Sequence, residues 1–229
     1  MNKKLMIGII VVIVLAIIGL IFGTYTVVRF VKIQNIYSKL DEYVAKENYY
    51  LRTTIKFGDS TTNTETRYLN GVGKMVANNG VYLWSDDEVA YLIDEAGKTI
   101  HSVTEDDNIS SVKANDFAVL VPGYSYNFLG RLVFAADPSN KIKNEEIDGA
   151  KYIVFETETE SAIKRVYVSA TRTYISKAEI ILPNGEKFEY NYTIRFGETK
   201  KADVYLPDIQ DYTLVTGGLE IETKTFLEE

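Results

Sequence analysis

One uncharged run near the N-terminus limits what this chain can fold into more than any other feature. Leu5 to Val28 read LMIGIIVVIVLAIIGLIFGTYTVV, which is 24 residues without a charged side chain. As a helix rising about 1.5 Å per residue, this run is about 36 Å long, whereas the hydrocarbon core of a bilayer is about 30 Å thick. We therefore predict a transmembrane helix over residues 5–28.

A cleaved secretory signal peptide is the main alternative, because Lys3 and Lys4 precede the apolar run as they do in such signals. Signal peptides have an apolar core of about 7 to 15 residues, followed by a small-x-small cleavage site. Here the run is longer and continues through Thr24, Tyr25 and Thr26 without such a site. The sequence favours an uncleaved anchor, and the absence of cysteine leaves no residue for lipoprotein acylation.

The charges that flank the run predict its orientation. Lys3 and Lys4 lie on one side, and Arg29 and Lys32 lie on the other. Together with the α-amino group, the first pair gives a small positive-inside bias toward a cytoplasmic segment at 1–4. We expect a single-pass protein of the cell membrane whose C-terminal part is extracytoplasmic.

Overall charge argues against a nucleic-acid partner. The chain has 25 basic and 32 acidic residues, and four of the basic ones but none of the acids lie in the first 32. The remainder therefore has 21 basic against 32 acidic residues, a net charge of −11. Phosphate backbones and anionic headgroups repel a domain of this sign, so its contact with the membrane must come from residues 5–28.

A juxtamembrane amphipathic helix is predicted over residues 29–47. Apolar side chains recur there at helical spacing, namely at Ile33, Ile36, Tyr37, Leu40, Tyr43 and Val44. The stripe has two interpretations: it packs on the sheet of its own domain, or it forms a dimeric coiled coil. Because the stripe lasts only about two heptads, the first is favoured.

After this helix the apolar period changes to two, which indicates strands. We predict strands at 49–57, 66–77, 80–85, 88–94 and 98–103, with a turn at 59–63 and a bulge at Gly71 and Gly73. Residues 108–136 lose the alternation and are predicted as short apolar helices broken at Pro122-Gly123. Strands then return at 141–147, 151–159, 163–169, 173–182 and 186–196, with a short extended segment at 202–206.

The last long strand has the clearest pattern in the chain. Phe188, Tyr190, Tyr192, Ile194 and Phe196 alternate with Lys187, Glu189, Asn191, Thr193 and Arg195. One face of this strand is therefore aromatic and the other is polar. Read without further context, the aromatic face is an ordinary packed core.

Catalytic and metal-binding patterns are weak. His101 is the sole histidine and there is no cysteine, so Cys/His catalysis and histidine-rich zinc sites are excluded. The acidic triplets Asp86-Asp87-Glu88 and Glu105-Asp106-Asp107 lack the alternating spacing of a calcium loop and are interpreted as turns. We predict no catalytic residue, no metal and no cofactor, although a hydrolase using two converging carboxylates stays open.

Taken in order, the helix, meander, interrupting helices and second meander resemble the LolA-like superfamily of lipoprotein carriers and LppX-type lipid-binding proteins. The resemblance is strongest over VYVSATRTYISKAEIILPNGEKFEYNYTIRFGETKKADVYLPD. There Val166 to Val168, Ile180, Phe188 to Phe196 and Leu206-Pro207-Asp208 lie at matching places. The resemblance implies an α+β fold in which the transmembrane helix precedes a curved antiparallel half-barrel, with short helices covering its concave face. Residues 48–212 would form this domain, followed by an acidic tail at 213–229.

Family members bind acyl chains in the concavity, so the resemblance implies an apolar groove whose ligand is a lipid or an acylated protein. The expected groove residues are Leu51, Ile55, Phe57, Phe117, Phe128, Leu132, Phe188, Tyr190, Tyr192, Ile194 and Phe196. A helix-anchored copy cannot shuttle like a soluble carrier, which favours a stationary, non-enzymatic binder. The alternative is a protein-interaction or sensory domain with a packed core and a membrane-protein partner.

Overall fold

The computed structural model describes residues 3–77, 80–103, 121–172 and 174–215, with backbone only for residues 3–12. It divides the chain into two compact units. The first unit comprises residues 1–45 and 117–187, and the second comprises residues 46–116 and 188–229. The predicted helices at 108–120 lie outside the described residues.

In chain order the described elements are α1 (Lys3–Val44), β1 (Asn48–Phe57), β2 (Ser60–Leu69), β3 (Val72–Ala77), β4 (Val81–Ser85), β5 (Ala90–Asp94), β6 (Thr99–Val103), α2 (Phe128–Ala136), β7 (Lys141–Ile147), β8 (Ala150–Glu158), β9 (Ile163–Ser169), β10 (Ile175–Ile181), β11 (Lys187–Phe196), two 3₁₀ helices (Lys201–Val204 and Ile209–Asp211) and β12 (Thr213–Val215). They confirm the predicted α+β class, in which a long apolar helix precedes an open, mainly antiparallel sheet of twelve strands with few helices.

Helix α1 joins the predicted transmembrane segment and the predicted amphipathic helix without a break. Its span Ile13–Val44 is long and apolar enough to cross a membrane, although length and composition alone do not place it in one. Apolar side chains from Ile13 to Val31 are largely exposed, whereas Ile33, Ile36, Tyr37 and Leu40 are buried. The amphipathic part packs on its own unit, as predicted: the Tyr37 ring stacks on Phe155 of β8 with centroids 6.4 Å apart.

The first unit contains the antiparallel meander of β7, β8, β9 and β10. Its interior is aliphatic and aromatic, and its fully buried members are Val154, Phe155, Val166, Val168 and Ile175. The buried Glu156 carboxylate is neutralised by Lys141, Lys143 and Arg165, at 2.9, 3.2 and 2.8 Å.

The described part of the second unit has its strands in the order β12-β6-β5-β4-β3-β2-β1-β11. Neighbours are antiparallel except for β12, which pairs in parallel with β6. β12 lies at the start of the segment predicted as an acidic tail. Within the described residues β12 and β11 do not pair with each other, so these eight strands do not close into a barrel.

Two strand predictions in this unit are wrong. Residues 66–77 do not form one bulged strand, because β2 and β3 are separated by a tight turn in which Asn70 (φ 47°) and Gly71 (φ 88°) are both left-handed. An Asn-Gly pair with two positive φ angles is typical of a two-residue hairpin. The predicted turn at 59–63 is in fact the start of β2, because the chain already reverses at Gly58, whose φ is 55°.

The predicted extended segment at 202–206 is also wrong over its first three residues, since Lys201–Val204 form a 3₁₀ helix. Asp203 accounts for this local winding, because its carboxylate accepts a hydrogen bond from the Lys200 backbone N–H at 2.8 Å. The Val204 carbonyl then accepts a buried hydrogen bond from Trp84 Nε1 at 3.0 Å.

Candidate functional site

The candidate site is a row of apolar side chains shared by β1 and β11 in the second unit. The register pairs Leu51 with Ile194, Ile55 with Tyr190, and Phe57 with Phe188. Directly opposed residues of an antiparallel pair share one face, so these six side chains form one continuous surface. We name these six residues the apolar ladder. The Thr53–Tyr192 pair lies within it, and Tyr49–Phe196 continues it at one end.

The local sequence explains this register. β11 alternates strictly between apolar and polar residues, and β1 places Leu51, Ile55 and Phe57 on one face. A slip by one position would therefore put Arg52 or Glu189 among the apolar side chains. Turns at Gly58 and Gly185, with φ angles of 55° and 86°, determine where β1 ends and β11 begins. The pairing thus brings together two segments that are more than 130 residues apart.

Burial changes along the ladder. At one end Ile194 is buried and lies near Tyr49, which is also buried and stacks on Tyr68 at 5.2 Å. Leu51, Ile55, Tyr190 and Tyr192 are half-buried. At the other end Phe57 is 37% exposed. The ladder is therefore anchored at one end and accessible at the other.

Strand β2 places only short side chains beside the ladder. The residues opposite Leu51, Thr53, Ile55 and Phe57 are all small, namely Thr66, Thr64, Thr62 and Ser60. On the far side of β2, Met75 of β3 lies opposite Thr66. Thr64 lies opposite Ala77, so beyond these short side chains a long one follows only at Met75.

The ladder carries no charge at neutral pH. Its titratable groups are the hydroxyls of Tyr190 and the neighbouring Tyr192, and burial raises the pKa of both above the usual tyrosine value. A neutral, partly accessible aromatic and aliphatic surface favours contact with hydrocarbon over contact with ions.

The opposite face of the same sheet is polar in one part and covered in another. Around β1, β2 and β3 a depression of about 450 Å³ has mixed charges, and Arg67 pairs there with Asp203 at 2.9 Å. Farther along, Tyr82, Trp84, Ile93 and Ile100 form a buried cluster on which Leu206 and Tyr212 pack. The C-terminal segment thus covers this face, whereas the ladder lies on the other.

The structure brings eight of the expected groove residues into one surface, counting Tyr192 and Phe196 with the ladder. Phe128 and Leu132 lie in the first unit, on α2, where Phe128 is exposed. Phe117 lies outside the described residues. The grouping of all eleven residues into one groove therefore stays a prediction.

Two of the candidates for chemistry, His101 and the triplet that begins at Asp86, lie in the described part of the chain, whereas Glu105-Asp106-Asp107 lies outside it. His101 lies in β6 opposite Leu92. Asp86 shapes a turn, because its Oδ1 accepts hydrogen bonds from the backbone N–H groups of Glu88 and Val89 at 2.9 and 2.8 Å. Within the described residues no group of three or more His, Cys, Asp or Glu side chains is placed to hold a metal ion.

Sequence reasoning missed two features of this region. The row of short side chains beside the ladder was missed because Ser60 and Thr62 were interpreted as turn material, although threonine is also a strand former. The second feature is the way α2 is held in the first unit, which depends on Arg29 and Arg131. The sequence indicates this feature only by the positions of the two arginines: Arg29 ends one apolar run, and Arg131 interrupts another.

Several solved structures are similar to this chain at low identity. An uncharacterized conserved protein from Thermus thermophilus matches at 7% identity and a TM-score of 0.48, over 80% of this chain and 98% of that one. The MucA/MucB complex of Pseudomonas aeruginosa matches at 10% and 0.45, over 80% of this chain and 64% of that one. A LolA superfamily protein from Nitrosomonas europaea matches at 11% and 0.32, over 76% and 97%.

Neither a family model nor a curated protein sequence matches the chain. The family that the sequence resembles is represented among these solved structures by the protein from Nitrosomonas europaea.

Proposed function

We propose that the chain is a membrane-anchored, extracytoplasmic module that binds an acyl chain, of a lipid or of an acylated protein, along the apolar ladder. The observation that carries this proposal is the ladder itself. It is uncharged, continuous across two strands, half-buried over most of its length and exposed at Phe57. Acyl methylenes gain about 0.8 kcal/mol each when they leave water, which suits a surface of this kind.

Anchoring by α1 is the second part of the proposal. Most of the large apolar side chains between Ile13 and Val31 are more than half exposed. Such a surface is unfavourable in water and favourable in hydrocarbon. The absence of charge between Leu5 and Val28 agrees with a spanning segment.

The proposed role is binding rather than catalysis. The ladder contributes aliphatic and aromatic groups, and its tyrosine hydroxyls have pKa values raised by burial. Groups of this kind hold an apolar ligand but do not transfer protons near neutral pH.

Photocrosslinking tests both parts of the proposal at once. The full chain is reconstituted in nanodiscs, a diazirine-bearing fatty acid is added, and adducts are mapped by peptide mass spectrometry after irradiation. We expect adducts on α1, from the bilayer, and on peptides of β1 and β11, from the ladder.

A matched pair of variants separates the ladder from the rest of the sheet. Tyr190→Asp puts a carboxylate on the ladder, whereas Asn191→Asp puts the same group on the polar face one residue later. We expect the β1 and β11 adducts to fall severalfold in Tyr190→Asp and to persist in Asn191→Asp. Fluorescence of Trp84 checks that both variants keep the second unit folded.

The remaining outcomes are equally informative. Adducts on α1 alone in the wild-type chain would refute ladder binding and favour the interaction or sensory domain. Failure of α1 to be labelled would refute the anchor, whatever happens at the ladder.

A further inference from the structure

Helix α2 in the first unit exposes apolar side chains where a helix in water would expose polar ones. Its sequence FLGRLVFAA contains a single charge, and the residues that it exposes are its large apolar ones. Phe128, Leu129 and Val133 are 66, 69 and 68% exposed, whereas Phe134 and Ala135 are buried. A helix on a water-facing surface places polar side chains outward instead.

The one charge of α2 is turned inward. Arg131 donates from Nη1 to Oε1 of Gln34 at 3.1 Å and from Nη2 to the Tyr124 carbonyl at 2.7 Å. Its guanidinium also lies 4.7 Å from the centroid of the Tyr37 ring. Both Gln34 and Tyr37 belong to α1, so the charge fastens α2 to α1 and leaves the outer face uncharged.

The C-terminal end of α2 is fastened to α1 in a similar way. Arg29 is buried, and its guanidinium donates to the Asp137 carbonyl at 3.1 Å and also to the Asn140 carbonyl. A cation suits the C-terminal end of a helix, where carbonyl groups lack partners. Arg29 is also the first charged residue after the apolar run, so its charge is compensated where α1 leaves that run.

The apolar surfaces of the two helices meet. The Phe30 ring of α1 contacts the Phe128 ring of α2 edge to face, with centroids 5.2 Å apart. Exposed Val27, Val28 and Val31 lie on either side of Phe30 in the sequence. The exposed face of α2 therefore continues the apolar surface by which α1 would contact a bilayer.

We propose that α2 lies in the membrane interface, with Leu129 and Val133 inserted into the same bilayer that α1 crosses. This inference rests on the proposed anchoring of α1. At nine residues α2 is about 13 Å long, too short to span a bilayer, and interfacial helices bury their apolar face about 5 to 10 Å deep. The occupant follows from continuity, because α1 and α2 present one apolar surface.

The consequence is a module held against its membrane at two places. A single helix leaves a domain free to tilt about its exit point. A second contact removes part of that freedom and keeps the first unit next to the bilayer, where acylated ligands are found.

Spin labelling tests the proposal cleanly because the chain has no native cysteine. Single cysteines replace Leu129 and Val133, with Leu20→Cys as the lipid reference and Glu160→Cys as the water reference. Leu20 is 72% exposed on α1, and Glu160 is exposed between β8 and β9. The labelled full-length chains are reconstituted in phosphatidylcholine liposomes, and accessibility to oxygen and to a water-soluble nickel chelate is measured.

We expect the oxygen-to-nickel accessibility ratio at 129 and 133 to exceed that at 160 severalfold and to approach that at 20. A lipid value at 20 with water values at 129 and 133 would overturn the interfacial role and leave the anchor intact. Low accessibility to both reagents at 129 and 133 would also overturn it, because a protein surface or a second copy then covers α2. A water value at 20 would refute the anchor itself.

Discussion

The Phe57 ring stacks on the Phe188 ring, with centroids 4.1 Å apart and planes inclined by 9°, at the exposed end of the apolar ladder. Stacked aromatic pairs contribute about 0.5 to 1.5 kcal/mol beyond their burial. Here the pair also keeps two large rings at a place where the solvent reaches them. The same contact therefore stabilises the β1–β11 register and forms part of the proposed binding surface.

Phe57→Ala is expected to weaken fatty-acid binding while the second unit stays folded. Because Phe57 is 37% exposed, the burial and stacking lost with its ring should lower the free energy of unfolding by about 2 kcal/mol. A fluorescent fatty acid should bind severalfold more weakly. Lys56→Ala changes the neighbouring residue on the polar face and serves as the control. Equal binding by the two variants would contradict a ladder that receives the acyl chain.

Loss of the Glu156 charge should weaken the first unit at low pH. Hydrogen bonds from Lys141, and from Arg165 and Lys143, lower the pKa of Glu156 from 4.5 to about 2. Since the folded pKa lies below the unfolded value, the stabilisation is present above pH 4.5 and is lost as pH falls toward 2. A shift of this size corresponds to at most about 3 kcal/mol.

Glu156→Gln should therefore flatten the pH dependence of the melting temperature between pH 4.5 and 2, and it should lower that temperature at pH 7. Glu179 serves as the comparison, because hydrogen bonds from Lys177, Tyr167 and Lys187 lower its pKa as well, against the opposing effect of desolvation. The part of the pH dependence that belongs to Glu179 should remain. An unchanged slope in Glu156→Gln would show that the carboxylate is not held as described.

Arg131 should determine whether α2 stays docked on α1. Arg131→Met removes two hydrogen bonds and the contact with the Tyr37 ring, while it keeps an apolar stem of similar length. We expect α2 docking to weaken by about 1 to 3 kcal/mol, which corresponds to roughly tenfold to hundredfold faster amide exchange in α2.

Arg131→Lys is the matched variant for this prediction. It keeps the charge but loses the planar fork that serves Gln34 and the Tyr124 carbonyl together, so it should show most of the effect. If exchange in α2 is unchanged in both variants, the arginine does not hold the helix.

Sequence periodicity predicted β11 correctly because every second residue there has the same surroundings. Phe188 to Phe196 alternate without interruption, and the face that they define is the one that pairs with Leu51 and Ile55. The juxtamembrane stripe was predictable for the same reason, since Ile33, Ile36, Tyr37 and Leu40 all face the first unit and are buried. Regular patterns are informative where one face has one environment.

Amino-acid composition led to a wrong prediction at β2, and it did not predict whether α2 is buried or exposed. Ser, Thr and Asn suit both turns and strands, and only pairing with β1 selects a strand for Thr61 to Asn63. An apolar segment such as α2 can be buried in a core or exposed to lipid, and composition is the same in both cases. The direction of the Arg131 side chain distinguishes the two cases. That direction depends on its hydrogen bond to Gln34, which is 97 residues away in the sequence.

Gly123 should not tolerate a side chain, because two separate costs arise there. Its φ of 76° is left-handed, and a Cβ would lie 2.8 Å from the Tyr37 hydroxyl and 3.2 Å from the Phe134 ring. That hydroxyl donates to the Pro122 carbonyl, so a displaced Tyr37 would also take the donor away from a half-buried carbonyl group.

Gly149→Ala separates the two costs. Gly149 also has a φ of 76°, but a Cβ there meets nothing within 4 Å. Gly149→Ala should therefore lower the free energy of unfolding only through the backbone preference, by about 1 to 2 kcal/mol. Gly123→Ala should lower it by roughly a further 1 to 3 kcal/mol because of overpacking. Thermal unfolding of the two variants measures the difference. Equal melting temperatures would mean that Tyr37 and Phe134 move aside freely, and the packing of α1 on the first unit would then be looser than these contacts imply.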